Sequence, residues 1–137
     1  MEYLAHIADD GREQTVGEHL RSAAEYASRA LAPAGLCEAG YLCALLHDCG
    51  KYTELFDRYI HSNGEMRRGS VNHTFSGVRL IMERCHNEPP ASTRDIFGEL
   101  LAYAVGAHHG EFDIADEDGK NGFFHRMKKD DIGYEEA

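Results

Sequence analysis

The chain has 137 residues, 42% of them hydrophobic and 28% charged, enough for one domain with a real core and ordinary for a globular protein. Its 24 acidic and 14 basic residues give a net charge of −10, which excludes a chain that wraps duplex DNA through its own basic surface and suits a site that gathers cations. No run of 18 apolar residues occurs, and "MEYLAHIADDG" has no basic stretch leading into an apolar one, so the expectation is a cytoplasmic chain with neither membrane span nor signal peptide.

In chain order, "TVGEHLRSAAEYASRALAPAG" reads as a first helix, opened by a Thr15 cap and closed by Pro33 and Gly35. Leu20, Ala23, Ala24, Ala27 and Leu31 fall at helical spacing along it. "LCEAGYLCALLHDCG" is a second helix, richer in apolar residues and so expected to be more buried, ending near Gly50. "TELFDRYIHS" is a short third helix running into the turn "SNGEMRRGS". "HTFSGVRLIMERCH" is a fourth, closed by "NEPPAS". Ser92 or Thr93 caps a fifth, "RDIFGELLAYAVGAHH", with Ile96, Leu100, Leu101, Ala104 and Val105 expected on its inward face. "GEFDIADEDGKNG" reads as an acidic loop, "FFHRMKK" as one more short helix and "DDIGYEEA" as a tail. No strand alternation, internal repeat or low-complexity tract stands out, so the expected fold class is all-α.

The four cysteines, Cys37, Cys43, Cys49 and Cys85, form no C-x-x-C pair. Three of them recur every six residues in helical sequence, which points to reduced, buried thiols rather than a zinc knuckle or a disulfide scaffold. The nine histidines are the unusual feature. His6, His61, His86 and His125, each taken alone, read as satisfied or exposed residues. His47-Asp48 differs, because an imidazole and a carboxylate behind the apolar run Ala44-Leu45-Leu46 are costly to bury unless a metal or a hydrogen-bond partner compensates. "AHHG" adds His108 and His109. Neighbours on a helix point about 100° apart, so these two are expected to address two adjacent ions. His19, His47, His73 and the His108-His109 pair fall on four helices, and their joint occurrence argues for a metal centre.

"HD-x-x-K", with Lys51 three residues after Asp48, looks like the signature of the HD metal-dependent phosphohydrolase superfamily. The wider series is more specific. "LAHIADDGREQTVGEHL", "LLHDCGKYTELFDRYI", "NHTFSG" and "AYAVGAHHGEFD" together resemble the HD nuclease domain of the CRISPR-associated helicase-nuclease of type I systems, from about Tyr3 to Asp113. The resemblance implies an HD-domain helical bundle over residues 1–137 with a metal site between helices. It implies His19, His47 and Asp48 at one ion, and Asp48, His73, His108 and His109 at a second, with Asp48 bridging. Lys51 would contact the scissile phosphate, and His6 would lie near the site without being a ligand. In the family the first metal takes a further carboxylate from an aspartate on a later helix. This chain ends 28 residues after His109, and Asp113, Asp116, Asp118, Asp130 and Asp131 do not sit in matching context, so the expectation is a domain incomplete at its C-terminus.

The implied activity is metal-dependent endonucleolytic cleavage of single-stranded DNA in type I CRISPR interference. One or two divalent ions (Mn, Ni, Co, Fe or Mg) would serve as cofactors. A helicase domain or subunit and a CRISPR RNA-guided surveillance complex would be the partners, with no membrane. Mixed imidazole and carboxylate donors favour transition metals, and Arg67-Arg68 and Arg126, Lys128 and Lys129 are candidates for guiding phosphates. The nearest alternative is an HD-type phosphohydrolase acting on nucleotides or cyclic dinucleotides. That group shares "HD-x-G-K" and an "HH" pair but is expected to carry "HHE" and a "GYP"-like turn, where this chain has "HHGEFD".

Overall fold

The computed structural model describes residues 2–67, 69–87, 89, 91–110 and 122–137. Arg68, Asp113, Asp116, Asp118 and most of the acidic loop lie outside the described residues.

Thr15 starts the helical part. Its Oγ1 accepts from the Glu18 amide at 3.2 Å, and the Glu18 carboxylate accepts from the Thr15 amide at 3.1 Å. This reciprocal cap opens α1 (Val16–Leu31) and satisfies two donors that a helix N-terminus otherwise leaves unpaired. The 3.6-residue repeat then buries Val16, Leu20 and Ala24 on one stripe. A 3₁₀ turn at Ala32–Ala34, with Pro33 in it and Gly35 left-handed after it, leads into α2 (Cys37–Leu46). A second 3₁₀ turn, Cys49–Lys51, leads to α3 (Glu54–Ile60), capped by Thr53. Then follow α4 (Phe75–Cys85), α5 (Thr93–Gly106), capped by Ser92, and the short α6 (Phe123–Met127).

The core sits mainly on α4. Phe75, Val78, Ile81 and Met82 pack with Ala102 and Val105 of α5, Phe123 of α6 and Ile132. A smaller cluster joins Val16 and Leu20 to Ala5.

The chain is mostly helical, as expected, with one addition. β1 (Leu4–Ile7) and β2 (Glu13–Thr15) pair antiparallel, with an irregular register between Leu4 and His6. Strands of four and three residues are too short to display a period of two, so the alternation is not visible in the sequence.

Three further expectations are corrected. The inward face of α5 is not the one that Ile96, Leu100 and Ala104 mark: all three are exposed, Leu100 at 63%, while Asp95, Gly98, Ala102, Val105 and Gly106 are buried. The α4–α5 packing selects small residues, and apolar content alone cannot reveal that. The second helix is half-buried rather than deeply buried, with Tyr41 and Leu42 exposed and Gly40 its only residue in the buried class. The segment read as a tail is docked. It forms a 3₁₀ turn, Asp130–Ile132, whose Ile132 is 1% exposed, and Ser76 Oγ donates to the Ile132 carbonyl at 2.6 Å. Glu136 Oε1 accepts from the Glu54 amide at the start of α3, and Tyr134 donates to Glu83. The cysteines are free and half-buried. Among the described residues no helix is long and apolar enough to cross a membrane.

Candidate metal centre

Four segments converge on one carboxylate. His19 comes from α1, His47 caps the C-terminus of α2, His73 lies just before α4, and His108 and His109 follow α5. Two glycines make the approach possible. A Cβ on Gly50 would lie 2.2 Å from the His73 carbonyl oxygen, and one on Gly77 would lie 2.2 Å from the Leu46 carbonyl oxygen. The backbone therefore touches where the His47-Asp48 turn meets the His73 segment, and where α4 meets the end of α2.

Asp48 is 3% exposed and divides its two oxygens between two groups of histidines. Oδ2 lies 3.1 Å from His19 Nε2 and 3.2 Å from His47 Nε2. Oδ1 lies 3.2 Å from His108 Nε2 and 3.4 Å from His73 Nε2. His19 and His47 approach each other at 3.2 Å, and His73 and His109 at 3.0 Å, all through Nε2. Two sets of donors result, His19-His47-Asp48 and Asp48-His73-His108-His109, with donor atoms within 4.8 Å of one another in each. His108 and His109 fall in the same set. They lie beyond the helix end rather than inside it, so the helical angle between neighbours does not separate them.

The tautomers follow from the main chain. His47 Nδ1 faces the Ala44 carbonyl at 2.6 Å, His108 Nδ1 the Val105 carbonyl at 2.7 Å, and His73 Nδ1 the Val71 carbonyl at 3.2 Å. A carbonyl oxygen only accepts, so each Nδ1 carries the hydrogen and each neutral ring points its Nε2 lone pair at Asp48. In that neutral tautomer the Nε2 lone pairs are free to bind a cation placed between the rings and the carboxylate. The donor chemistry therefore fits a divalent metal.

Lys51 is 5% exposed, and its ammonium sits 2.8 Å from Asp48 Oδ2 and 3.5 Å from the Ala5 carbonyl, above the Phe56 ring at 5.4 Å. It is thus the built-in counter-ion of the carboxylate. His6, on β1, places its ring 4.8 Å from that of His19 and belongs to neither donor set.

A cleft of about 880 Å³ opens beside these residues. Among the described residues, its charged lining is Lys51, Arg126 and Lys129 against Asp131, with His6, His73 and His109. The balance is the reverse of that of the whole chain, with its 14 basic and 24 acidic residues. Lys128 lies outside the cleft, and Arg67 is exposed and does not line it. The sequence reading did not find Phe56 and Tyr59, which also line the cleft. Their three-residue spacing on α3 is a helical-face signal, but nothing local says what that face meets.

The profile of the HD domain matches residues 16–135. The chain belongs to the HD-domain family. Members of this family are metal-dependent phosphohydrolases. A comparison with curated protein sequences finds no match.

The electrostatics of this HD domain keep Asp48, His73 and His109 in binding form. Burial alone would raise the Asp48 pKa, but the polar groups packed around it, His108, His19, His47 and the Lys51 ammonium, overcome that and hold the carboxyl far below its usual range. Burial lowers His73 to about 4 and also lowers His109, so both rings stay neutral and keep a lone pair at neutral pH. His47 moves up: burial opposes protonation, and the hydrogen bonds to Asp48 and to the Ala44 carbonyl outweigh it. Burial, then the Asp48 charge, raises the neighbouring Cys49 to about 11, so its sulfur is a thiol and not a thiolate ligand. Asp95 is the other strongly perturbed acid, held down by Ser92, Ala91 and Asn87. It organises the loop before α5 and lies in neither donor set.

Proposed function

We propose that this HD domain is a metal-dependent phosphodiesterase that cleaves single-stranded DNA internally, as the nuclease of a type I CRISPR system. It works in the cytoplasm with a helicase part that feeds it unwound single-stranded DNA, at a target marked by an RNA-guided surveillance complex. The observation that carries the reading is the division of Asp48 between two histidine sets at the wall of a cationic cleft. One carboxylate shared by two donor sets suits two ions side by side, the arrangement used for in-line displacement at phosphorus.

Asp48, with His19 and His47 on one side and His73, His108 and His109 on the other, would hold the ions. Mixed nitrogen and oxygen donors suit Mn, Fe, Co or Ni, with Mg also able to serve. Bound there, such ions supply a water of lowered pKa and positive charge next to the phosphoryl oxygens. The protein's own groups do the rest. Neutral imidazoles leave the ionic charge uncancelled for an anionic substrate. Lys51 lines the cleft as well as pairing with Asp48, so its ammonium is within reach of a phosphate oxygen once Asp48 is engaged elsewhere. Arg126 and Lys129 extend the positive lining away from the centre, along the path of a nucleic-acid backbone.

The test is cleavage of circular single-stranded DNA with added Mn, Ni, Co or Mg, wild type beside Asp48→Ala. A circle offers no end to an exonuclease. The expected result is metal-dependent nicking that the variant loses. Inactivity on the circle combined with hydrolysis of cyclic dinucleotides or nucleotides would overturn the nuclease reading in favour of the smaller substrates.

A further inference from the structure

Two of the candidate metal donors, His73 and His109, line a cleft far larger than a phosphate group needs. Its volume, about 880 Å³, is near the top of the range of small-molecule sites. Two lining residues belong to neither metal donor set. Tyr59 of α3 is half-buried, and its ring lies 5.6 Å from that of Phe56, which itself stands edge-on to metal-centre His73 at 5.2 Å. Tyr59 is thus one ring removed from a candidate ligand, and its hydroxyl makes no hydrogen bond among the described residues. Lys129 follows α6, 70 positions along the chain; it is exposed, and among the described residues its ammonium makes no ion pair. The docked C-terminal segment holds it at the cleft, through buried Ile132 and the Ser76 hydrogen bond.

We propose that Tyr59 and Lys129 form a nucleotide subsite flanking the metal centre, Tyr59 as a platform on which one unstacked base lies and Lys129 as the contact to a neighbouring phosphate. The inference deepens the single-strand reading above and rests on it. An aromatic face accepts any base and needs that base free of its pair. The subsite therefore selects single strands without selecting sequence. It also gives an acidic chain a local means of retaining a polyanion.

The experiment is binding of a fluorescein-labelled single-stranded oligonucleotide of mixed sequence, followed by anisotropy without added metal over a series of salt concentrations. Cleavage of circular DNA by the same proteins is measured in parallel. Tyr59→Leu should weaken binding about tenfold at fixed salt, and Tyr59→Phe, which keeps the ring, should bind like wild type. Lys129→Ala should flatten the slope of log affinity against log salt by about 0.7, the loss of one phosphate contact on a single strand. Lys128→Ala, one position earlier and outside the cleft, should leave the slope unchanged. A merely structural role for Lys129 would leave the salt slope unchanged, and one for Tyr59 would lower the Tm of Tyr59→Leu, which thermal melts of the same proteins should show at the wild-type value. If wild type cleaves the circle but Tyr59→Leu and Lys129→Ala bind with wild-type affinity and slope, the subsite is wrong and the nuclease reading stands. If wild type neither binds nor cleaves single strands, both fall together.

Discussion

Asp48 is surrounded by three lone-pair donors whose tautomer is set by main-chain carbonyls, and by a single ammonium. Replacing it with asparagine keeps the shape and removes the charge that both histidine sets share. Asp48→Asn should abolish binding of Mn or Ni in a calorimetric titration. It should also destabilise the metal-free protein by about 3 kcal/mol, because it leaves Lys51 buried without its counter-charge; urea unfolding measures this. His73 gives a pH dependence with a definite sign. Its pKa is about 4 when folded, against the ordinary 6.5, so the unfolded chain binds the extra proton between those values. The stability conferred by a neutral His73 is complete above pH 6.5 and is lost as pH falls towards 4. The loss is up to about 3 kcal/mol, reduced by His47, whose raised pKa acts in the opposite direction. Urea midpoints of metal-free protein at pH 7 and pH 4.5 should differ accordingly, and His73→Gln should shrink the difference.

At the scale of elements, the centre depends on two backbone contacts. Gly77→Ala would push a methyl group into the Leu46 carbonyl, at the helix end that carries His47. Overpacking against backbone costs about 1–3 kcal/mol, and here it would also displace a candidate ligand. Both a lower Tm and at least tenfold weaker metal binding are therefore expected in thermal melts and titrations of this variant. The sequence made much of this legible. Thr15 and Ser92 announced their helices because caps are local chemistry, and His47-Asp48, His73 and His108-His109 were legible because ligand residue types stand out at helix ends. The inward face of α5 was not legible. Ile96 and Leu100 carry the apolar signal, while the packing against α4 uses Gly98 and Ala102, whose small size matters only once the neighbour is known. Tyr59 was hidden for the same reason, since no local pattern names the cleft it lines, whereas Lys129 was legible as part of a basic cluster.

For the whole molecule, convergence of four segments on one carboxylate couples metal binding to folding. The unfolded chain offers these donors scattered from His19 to His109, so metal binds the folded form preferentially. Metal at a hundredfold excess over its dissociation constant should add about 2.7 kcal/mol and raise Tm by roughly 10 °C, an increase that chelator reverses. His47 and His108 carry a further consequence, because each is hydrogen-bonded to the carbonyl three residues before it, and so each ring is both a candidate ligand and the closing latch of a helix. Ion occupancy should then be audible far down the backbone. Amide protons in the last turns of α2 and α5 should exchange with deuterium measurably more slowly when metal is present, while those of α6, which ends in no such latch, should keep their pace.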